Sequence, residues 1–377
     1  MEEKVKKIGT AVFYTALVLE MLFVLLDKSE YIIPYETWMF RLTFIMFCCK
    51  IACTKYTRKE MICIFLFGVL GVISFLVTDR EEIIRVVAFA AAFKGIDIKT
   101  AAKLTFYETL IGSLVIVFLS ITGIYGAVSV TGNFRGGGIE ETRYCLGMGH
   151  PNAVHCMFFM ILTLGLYIYN ESCKWWHYGI LFILNAGLFC LTDSRTGFLA
   201  GAGTVFLFAL LRYVPVLEEK KTVYILGGLF LLFCIIFTII TGLYGEEVGI
   251  IKFFNRKVNG RLQIGLVEGG VRTWRLFSEK GREVYFDMGW MRLFYWYGIV
   301  PAIIYLAVIA GCIRQCFLKR NGKAFLMLMI LTAYTVLEAH LISVYIGRNY
   351  MLFLIGAFWP EILEMTGEKE PAGEGKS

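Results

Sequence analysis

The chain has 377 residues, of which 58% are hydrophobic and 18% are charged, and its formal net charge is +7. Soluble domains are closer to half apolar and a quarter charged, so the composition excludes a soluble enzyme, a nucleic-acid-binding protein and a disordered scaffold. Continuous rather than alternating apolar runs also exclude a membrane β-barrel. The sequence therefore predicts an all-α, polytopic membrane protein with a single domain over residues 1–377.

About 20 consecutive apolar residues are needed to cross a bilayer as a helix, and twelve runs along the chain are candidates. The predicted spans lie near residues 8–26, 38–54, 61–78, 83–96, 104–127, 151–169, 177–192, 197–213, 223–243, 288–312, 324–342 and 349–365. When twelve spans are threaded, most basic loops fall on one side, which predicts that side to be cytoplasmic. Both termini are then predicted to lie on the cytoplasmic side of the cell membrane, and residues 366–377 to form a flexible cytoplasmic tail.

The largest predicted outer loop, residues 244–287, breaks this trend because it is rich in lysine and arginine. Long loops can cross a membrane regardless of charge, so one interpretation is a tolerated basic loop. The other is an anion-binding site that faces outward. Arg272 and Arg275 are three residues apart and would share one face of a helix, which could also lie flat on the bilayer surface.

Two polar segments near the middle of the chain are candidate phosphate sites. Arg143, His150 and Asn152 surround Pro151, which suits the first turn of a helix. They could hold a phosphate or move a proton, or they could form an ordinary polar loop. Arg195 could either pair with Asp193 or present its donors to a phosphate.

Candidate proton-transfer residues lie near the ends of the last predicted spans. Asp287 opens the tenth span, where it could act as a base or only cap the helix. Glu338, His340 and Arg348 bracket the turn between the last two spans, and ionisable residues there are functional candidates. No nucleotide-binding, zinc-protease or acidic metal motif is present, so neither a metal nor a cofactor is predicted.

The segments Gly149–Asn152, Ser194–Gly197, Gly260–Leu262 and Asp287–Gly298, in this order, resemble the bacterial O-antigen polymerase and O-antigen ligase superfamily. The resemblance implies a metal-independent glycosyltransferase that takes glycan units from undecaprenyl diphosphate and joins them to an acceptor glycan. The reaction would occur at the outer face of the cytoplasmic membrane, giving capsule, exopolysaccharide or O-antigen. Arg195 and Arg261 take the places of the arginines that would hold the diphosphate.

The same resemblance favours the polymerase branch. Gly298 lies eleven positions after Asp287, so Asp287 and Met288 replace the histidine and the amide that mark the ligases. Candidate catalytic residues are therefore Asp287, Glu338 and His340. Candidate substrate-binding residues, which would stabilise the diphosphate leaving group, are Arg143, His150, Asn152, Arg195, Arg261, Arg272, Arg275 and Arg348.

The implied partners are the lipid-linked oligosaccharide, the bilayer, a flippase and a chain-length regulator. Alternatives left open by the sequence are a ligase-type transferase and a flippase or transporter of lipid-linked sugars. Transporters often contain two related halves, and no convincing repeat relates residues 1–190 to 191–377. A peptidoglycan polymerase of the shape, elongation and division type would also extend lipid-linked sugars, but its motifs are not seen.

Overall fold

The computed structural model describes residues 2–134, 140–257, 262 and 270–365. Fourteen α-helices lie within these residues. They are α1 (Glu2–Lys28), α2 (Glu36–Ala52), α3 (Arg58–Thr78), α4 (Glu82–Ala92), α5 (Ile98–Ile121), α6 (Pro151–Tyr169), α7 (Trp175–Thr192), α8 (Arg195–Tyr213), α9 (Lys221–Tyr244), α10 (Gly249–Lys257), α11 (Gly289–Tyr297), α12 (Ile299–Leu318), α13 (Gly322–Leu337) and α14 (Met351–Met365). Two short antiparallel strands, β1 (Ser129–Gly132) and β2 (Glu141–Tyr144), form a hairpin.

Within the described residues, eight helices are long and apolar enough to cross a membrane: α1, α3, α5, α6, α7, α8, α9 and α12. The apolar helix α13 is shorter. The all-helical prediction is thus confirmed in outline, with the small hairpin added, and the helices indicate a membrane-embedded chain. The count of twelve spans stays a prediction.

Polar residues between the apolar runs set the helix boundaries. Thr57 and Glu60 form a reciprocal capping box at the start of α3, in which the Thr57 amide donates to Glu60 Oε2 at 2.6 Å. The Asp97 carboxylate accepts a hydrogen bond from the Thr100 amide at 2.8 Å and so caps α5. Such caps satisfy amides that the first turn of a helix leaves unpaired.

The predicted fourth span, 83–96, forms only the short helix α4. Its start lies inside the bundle, because a Cβ on Gly71, well before the end of α3, would lie 2.7 Å from Ile84 Cγ1. Its far end is held where Lys94 Nζ contacts Glu60 Oε2 at 2.6 Å, beside the start of α3. The segment therefore runs alongside α3 from Gly71 back to its start. Its helix is about 16 Å long at 1.5 Å per residue, too short to cross alone.

Gly298 divides the predicted tenth span into α11 and α12. Its φ is +100° and its ψ is 174°, a region essentially restricted to glycine. A Cβ at this position would lie 2.7 Å from the Leu276 carbonyl oxygen and from Phe277 Cα. The break lets the chain before α11 pack directly against the start of α12, where the Ile299 amide donates to the Arg275 carbonyl at 2.9 Å.

Replacing Gly298 with alanine is expected to destabilise the protein by roughly 1–3 kcal/mol or more, because the backbone contacts cannot move aside cheaply. Thermal unfolding of the purified protein in detergent measures this. Gly228→Ala in α9 is the matched control, since a Cβ there meets nothing within 4 Å. Equal unfolding temperatures for the two variants would show that the break at Gly298 does not require glycine.

The predicted eleventh span, 324–342, ends as a helix at Leu337, and α14 begins only at Met351. The chain between them forms two single 3₁₀ turns, Ala339–Leu341 and Ile346–Arg348, both of which are buried or half-buried. Non-helical backbone at membrane depth is tolerated only where protein or water satisfies it. This segment is thus a folded part of the bundle rather than a simple outer turn.

The best-packed part of the bundle is formed by α6, α11, α13 and α14. In the apolar stretch of α6, 61% of the residues are buried, compared with 17% in the apolar stretches of α3 and α7. Phe159 stacks on Tyr334 with ring centroids 4.4 Å apart, which joins α6 to α13. The exposed apolar faces of α3 and α7 are those expected to contact lipid.

Reporter fusions test the predicted orientation. Fusions at Glu36 and Glu246 are expected to report from outside the membrane, and one at Glu218 from the cytoplasm, because the basic loops favour the inside. A cytoplasmic signal from Glu246 would place the basic loop on the wrong side and contradict the predicted site.

Candidate functional site

The hairpin and the start of α6 carry three of the predicted residues, and Phe134 lies against both Arg143 and His150. Arg143 lies in β2, opposite Val130 of β1. It contacts Glu141 Oε2 at 2.7 Å and Asp193 Oδ2 at 2.8 Å. Arg143 is only 7% exposed. His150 is the N-cap of α6 and accepts the Asn152 amide at 3.1 Å. Arg143 therefore fastens the hairpin to the turn between α7 and α8.

Arg195 begins α8 and is exposed. The sequence allowed it to pair with Asp193, but Asp193 contacts Arg143 instead. Asp193 ends α7 with φ of +49°, which turns the chain sharply toward α8. Among the described residues, Arg195 makes no hydrogen bond or ion pair, so its donors are not used within this part of the chain.

A buried polar network supports this turn. His155 Nε2 lies 2.9 Å from Asn185 Oδ1, and His155 Nδ1 lies 3.1 Å from Thr192 Oγ1. His155 is therefore a buried, hydrogen-bonded residue. Gly197 allows α8 to pack closely against α6, because a Cβ at this position would lie 2.6 Å from the His155 imidazole.

The end of α1 connects this region to the segment between α13 and α14. A Cβ on Gly149 would lie 3.0 Å from Glu30 Cγ, so the His150 loop rests on the residues that follow α1. One helical turn earlier, Asp27 forms an ion pair with Arg348. The predicted residues before α6 and before α14 are therefore neighbours across the end of α1.

Arg348 is almost completely buried and holds its segment in place. Besides the pair with Asp27, its Nη1 donates to Ser343 Oγ at 3.0 Å, and its guanidinium lies 4.3 Å from the Tyr345 ring centroid. Its contacts give Arg348 an anchoring role in the segment.

Arg292, which the sequence analysis did not select, joins the segments that carry the candidate bases. It lies on α11 and is 0% exposed. Its Nη2 donates to the Phe286 carbonyl at 2.7 Å and its Nη1 to the Ile342 carbonyl at 2.9 Å. Residues flanking Asp287 and His340 are therefore held by one guanidinium.

Asp287 lies just before α11 and interacts electrostatically with Arg292. The N-cap of α11 is Met288, so Asp287 precedes the capping position. Glu338 ends α13, and a Cβ on Gly289 would lie 3.0 Å from its carbonyl oxygen. The three predicted bases, Asp287, Glu338 and His340, are thus on neighbouring segments.

His340 is half-buried in the 3₁₀ turn after α13. The Ile342 carbonyl, two residues later, accepts from Arg292 Nη1 at 2.9 Å, so the turn that carries His340 is fixed to α11.

The basic loop is only partly described, and Arg261 lies outside the described residues. Arg272 belongs to the 3₁₀ turn Gly270–Thr273, after which the chain is irregular as far as α11. The expectation that Arg272 and Arg275 share a helical face is therefore wrong. Arg275 is exposed and contacts Glu279 Oε2 at 2.5 Å, whereas Trp274 stacks on Phe294 at 4.2 Å and fixes the segment to α11.

A buried ion pair deep in the bundle was also missed from the sequence. Arg85 Nη2 of α4 lies 3.3 Å from Glu20 Oε1 of α1, and Arg85 Nη1 donates to the Val344 carbonyl at 2.7 Å. Charges inside apolar runs are the signal that could have identified it, because such residues are expected to be paired. Through the bond to Val344, the pair fixes the segment between α13 and α14 to α4 and α1.

The arrangement collects carboxylates, an imidazole and arginines at the end of the bundle where α1 ends and α6 begins. Exposed Arg195 can bind an anion, and Asp287 or Glu338 can accept a proton. In the described part of the chain, no group of three or more His, Cys, Asp or Glu residues is placed to hold a metal ion. Comparison with models of known protein families, with characterised proteins and with solved structures finds no match to this chain.

Proposed function

We propose that the protein is a membrane glycosyltransferase that polymerises glycan units carried on undecaprenyl diphosphate at the outer face of the cytoplasmic membrane. The observation that carries the proposal is the exposed Arg195, which pairs with none of the other described residues and lies at the same end of the bundle as Asp287, Glu338 and His340. An anionic leaving group and an acceptor that must lose a proton require these two kinds of group.

In the proposed reaction, the acceptor hydroxyl oxygen forms a bond to the anomeric carbon of the donor glycan. The bond between that carbon and the diphosphate oxygen breaks, and its electron pair leaves with the lipid diphosphate. Asp287, or Glu338 beside it, takes the hydroxyl proton. Arg195 stabilises the charge that develops on the diphosphate, because a guanidinium binds phosphate oxygens through two parallel hydrogen bonds.

The proposal is tested with purified protein in liposomes supplied with a lipid-linked oligosaccharide. A polymerase gives a ladder of longer lipid-linked glycans and releases undecaprenyl diphosphate. A ligase-type transferase gives a single addition to a different acceptor, and a flippase moves the lipid without changing its glycan. Unchanged glycan length with every acceptor offered would refute glycosyl transfer.

A further inference from the structure

A cavity of about 190 Å³ lies between α3, α4, α11, α12, α14 and the segment before α14. Its lining is almost entirely apolar and includes Ile64, Val86 and Ile304. Phe65 and Ile303, the neighbours of two of these residues, are 68% and 56% exposed. The cavity therefore lies at the periphery of the bundle, beside surfaces that contact the hydrocarbon of the bilayer.

Glu82 is the charged residue that lines this cavity. Its side chain is buried, with 6% exposure. One carboxylate oxygen, Oε1, is 3.7 Å from Arg80 Nη1. The other, Oε2, has no hydrogen-bond partner in the described part of the chain. A buried carboxylate oxygen without a donor is unfavourable, so the cavity presents an unused acceptor.

The surroundings of Glu82 indicate which donor would fit. Arg80 already supplies a counter-charge, and Arg85 lies one turn further along α4, paired with Glu20. Because Arg80 already balances the carboxylate, an ammonium group would leave an excess positive charge in an apolar cavity, and a phosphate would be repelled by the carboxylate. A neutral hydroxyl group donates a hydrogen bond without adding charge.

We infer that this cavity binds one neutral amphiphile, a hydrocarbon chain ending in a hydroxyl group, and that the hydroxyl donates to Glu82. The chain lies along the apolar lining formed by residues such as Val86, Ala90 and Ile304. Burial of the chain provides the affinity, and the hydrogen bond to Glu82 Oε2 provides the selectivity for a hydroxyl head. The inference does not depend on glycosyl transfer.

Photolabelling of the purified protein in lipid nanodiscs tests this. The probe is a monoacylglycerol with a diazirine in its acyl chain, and labelled peptides are identified by mass spectrometry. Saturable labelling of α4 and α12 is expected, weakened roughly tenfold in Glu82→Ala by loss of the acceptor. Glu81→Ala, a carboxylate change at the adjacent position, should label as the wild type does.

A second variant keeps the test valid if Glu82→Ala does not fold. Ala90→Phe fills the cavity away from the carboxylate and should abolish the saturable labelling, whereas Leu66→Phe on the exposed face of α3 should not. Non-saturable labelling spread over lipid-facing helices would overturn the site. Equal or stronger labelling by an acyl-chain amine, or by a probe whose hydroxyls are methylated, would overturn the neutral donor.

Discussion

Asp287→Asn is expected to reduce polymer formation by roughly 10²–10⁴-fold, the usual scale of general acid–base assistance. The substitution preserves the shape of the side chain and removes its negative charge. Binding of the lipid-linked donor should persist, because Arg195 is unchanged. The measurement is the initial rate of polymerisation in liposomes that contain equal amounts of inserted protein.

The surroundings of Asp287 make this substitution informative. Because Met288 is the N-cap of α11, the variant does not remove the N-cap residue. Arg292 keeps its bonds to the Phe286 and Ile342 carbonyls, which hold the local backbone. A loss of rate with unchanged thermal stability therefore reports chemistry rather than folding.

Glu283→Gln is the matched control, since it removes an exposed carboxylate from the same irregular segment. It should leave the rate unchanged, and Asp287→Glu should recover part of it. A fully active Asp287→Asn protein together with an inactive Glu338→Gln protein would transfer the role of base to Glu338. Full activity in both variants would exclude a carboxylate base from this site.

The sequence predicted the helices well where a polar cap follows a loop and a long apolar run follows the cap. It predicted α6 with both ends correct, 151–169, because Pro151 starts the helix and the apolar run is continuous. It could not predict the break at Gly298, because the apolar run continues through it and only the contacts with Leu276 and Phe277 require the unusual backbone.

The candidate site was predicted in part for a similar reason. Short motifs led to Arg195 and Asp287, but their partners are set by tertiary contacts. Arg143 in the hairpin pairs with Asp193 in the turn between α7 and α8, a pairing that sequence separation alone does not indicate. Buried Arg292 was missed because its acceptors are backbone carbonyls, which leave no trace in residue type.

Arg195→Lys is expected to weaken donor use by about 10-fold, and Arg195→Ala by about 100-fold, because hydrogen bonds to charged groups contribute roughly 1.5–3 kcal/mol. Lysine keeps the positive charge but loses the two parallel donors of the guanidinium. The effect should be seen as a higher KM for the lipid-linked oligosaccharide in the liposome assay.

Arg195 is exposed and has no partner among the described residues, so both variants should be inserted and folded as the wild type is. Arg212→Lys at the opposite end of α8 is the matched control and should leave KM unchanged. If Arg195→Lys polymerises normally while Arg212→Lys is impaired, the diphosphate is not held at the start of α8. If the Arg195 variants instead insert poorly, Arg195 is a structural residue, and the anion must be bound elsewhere on this end of the bundle.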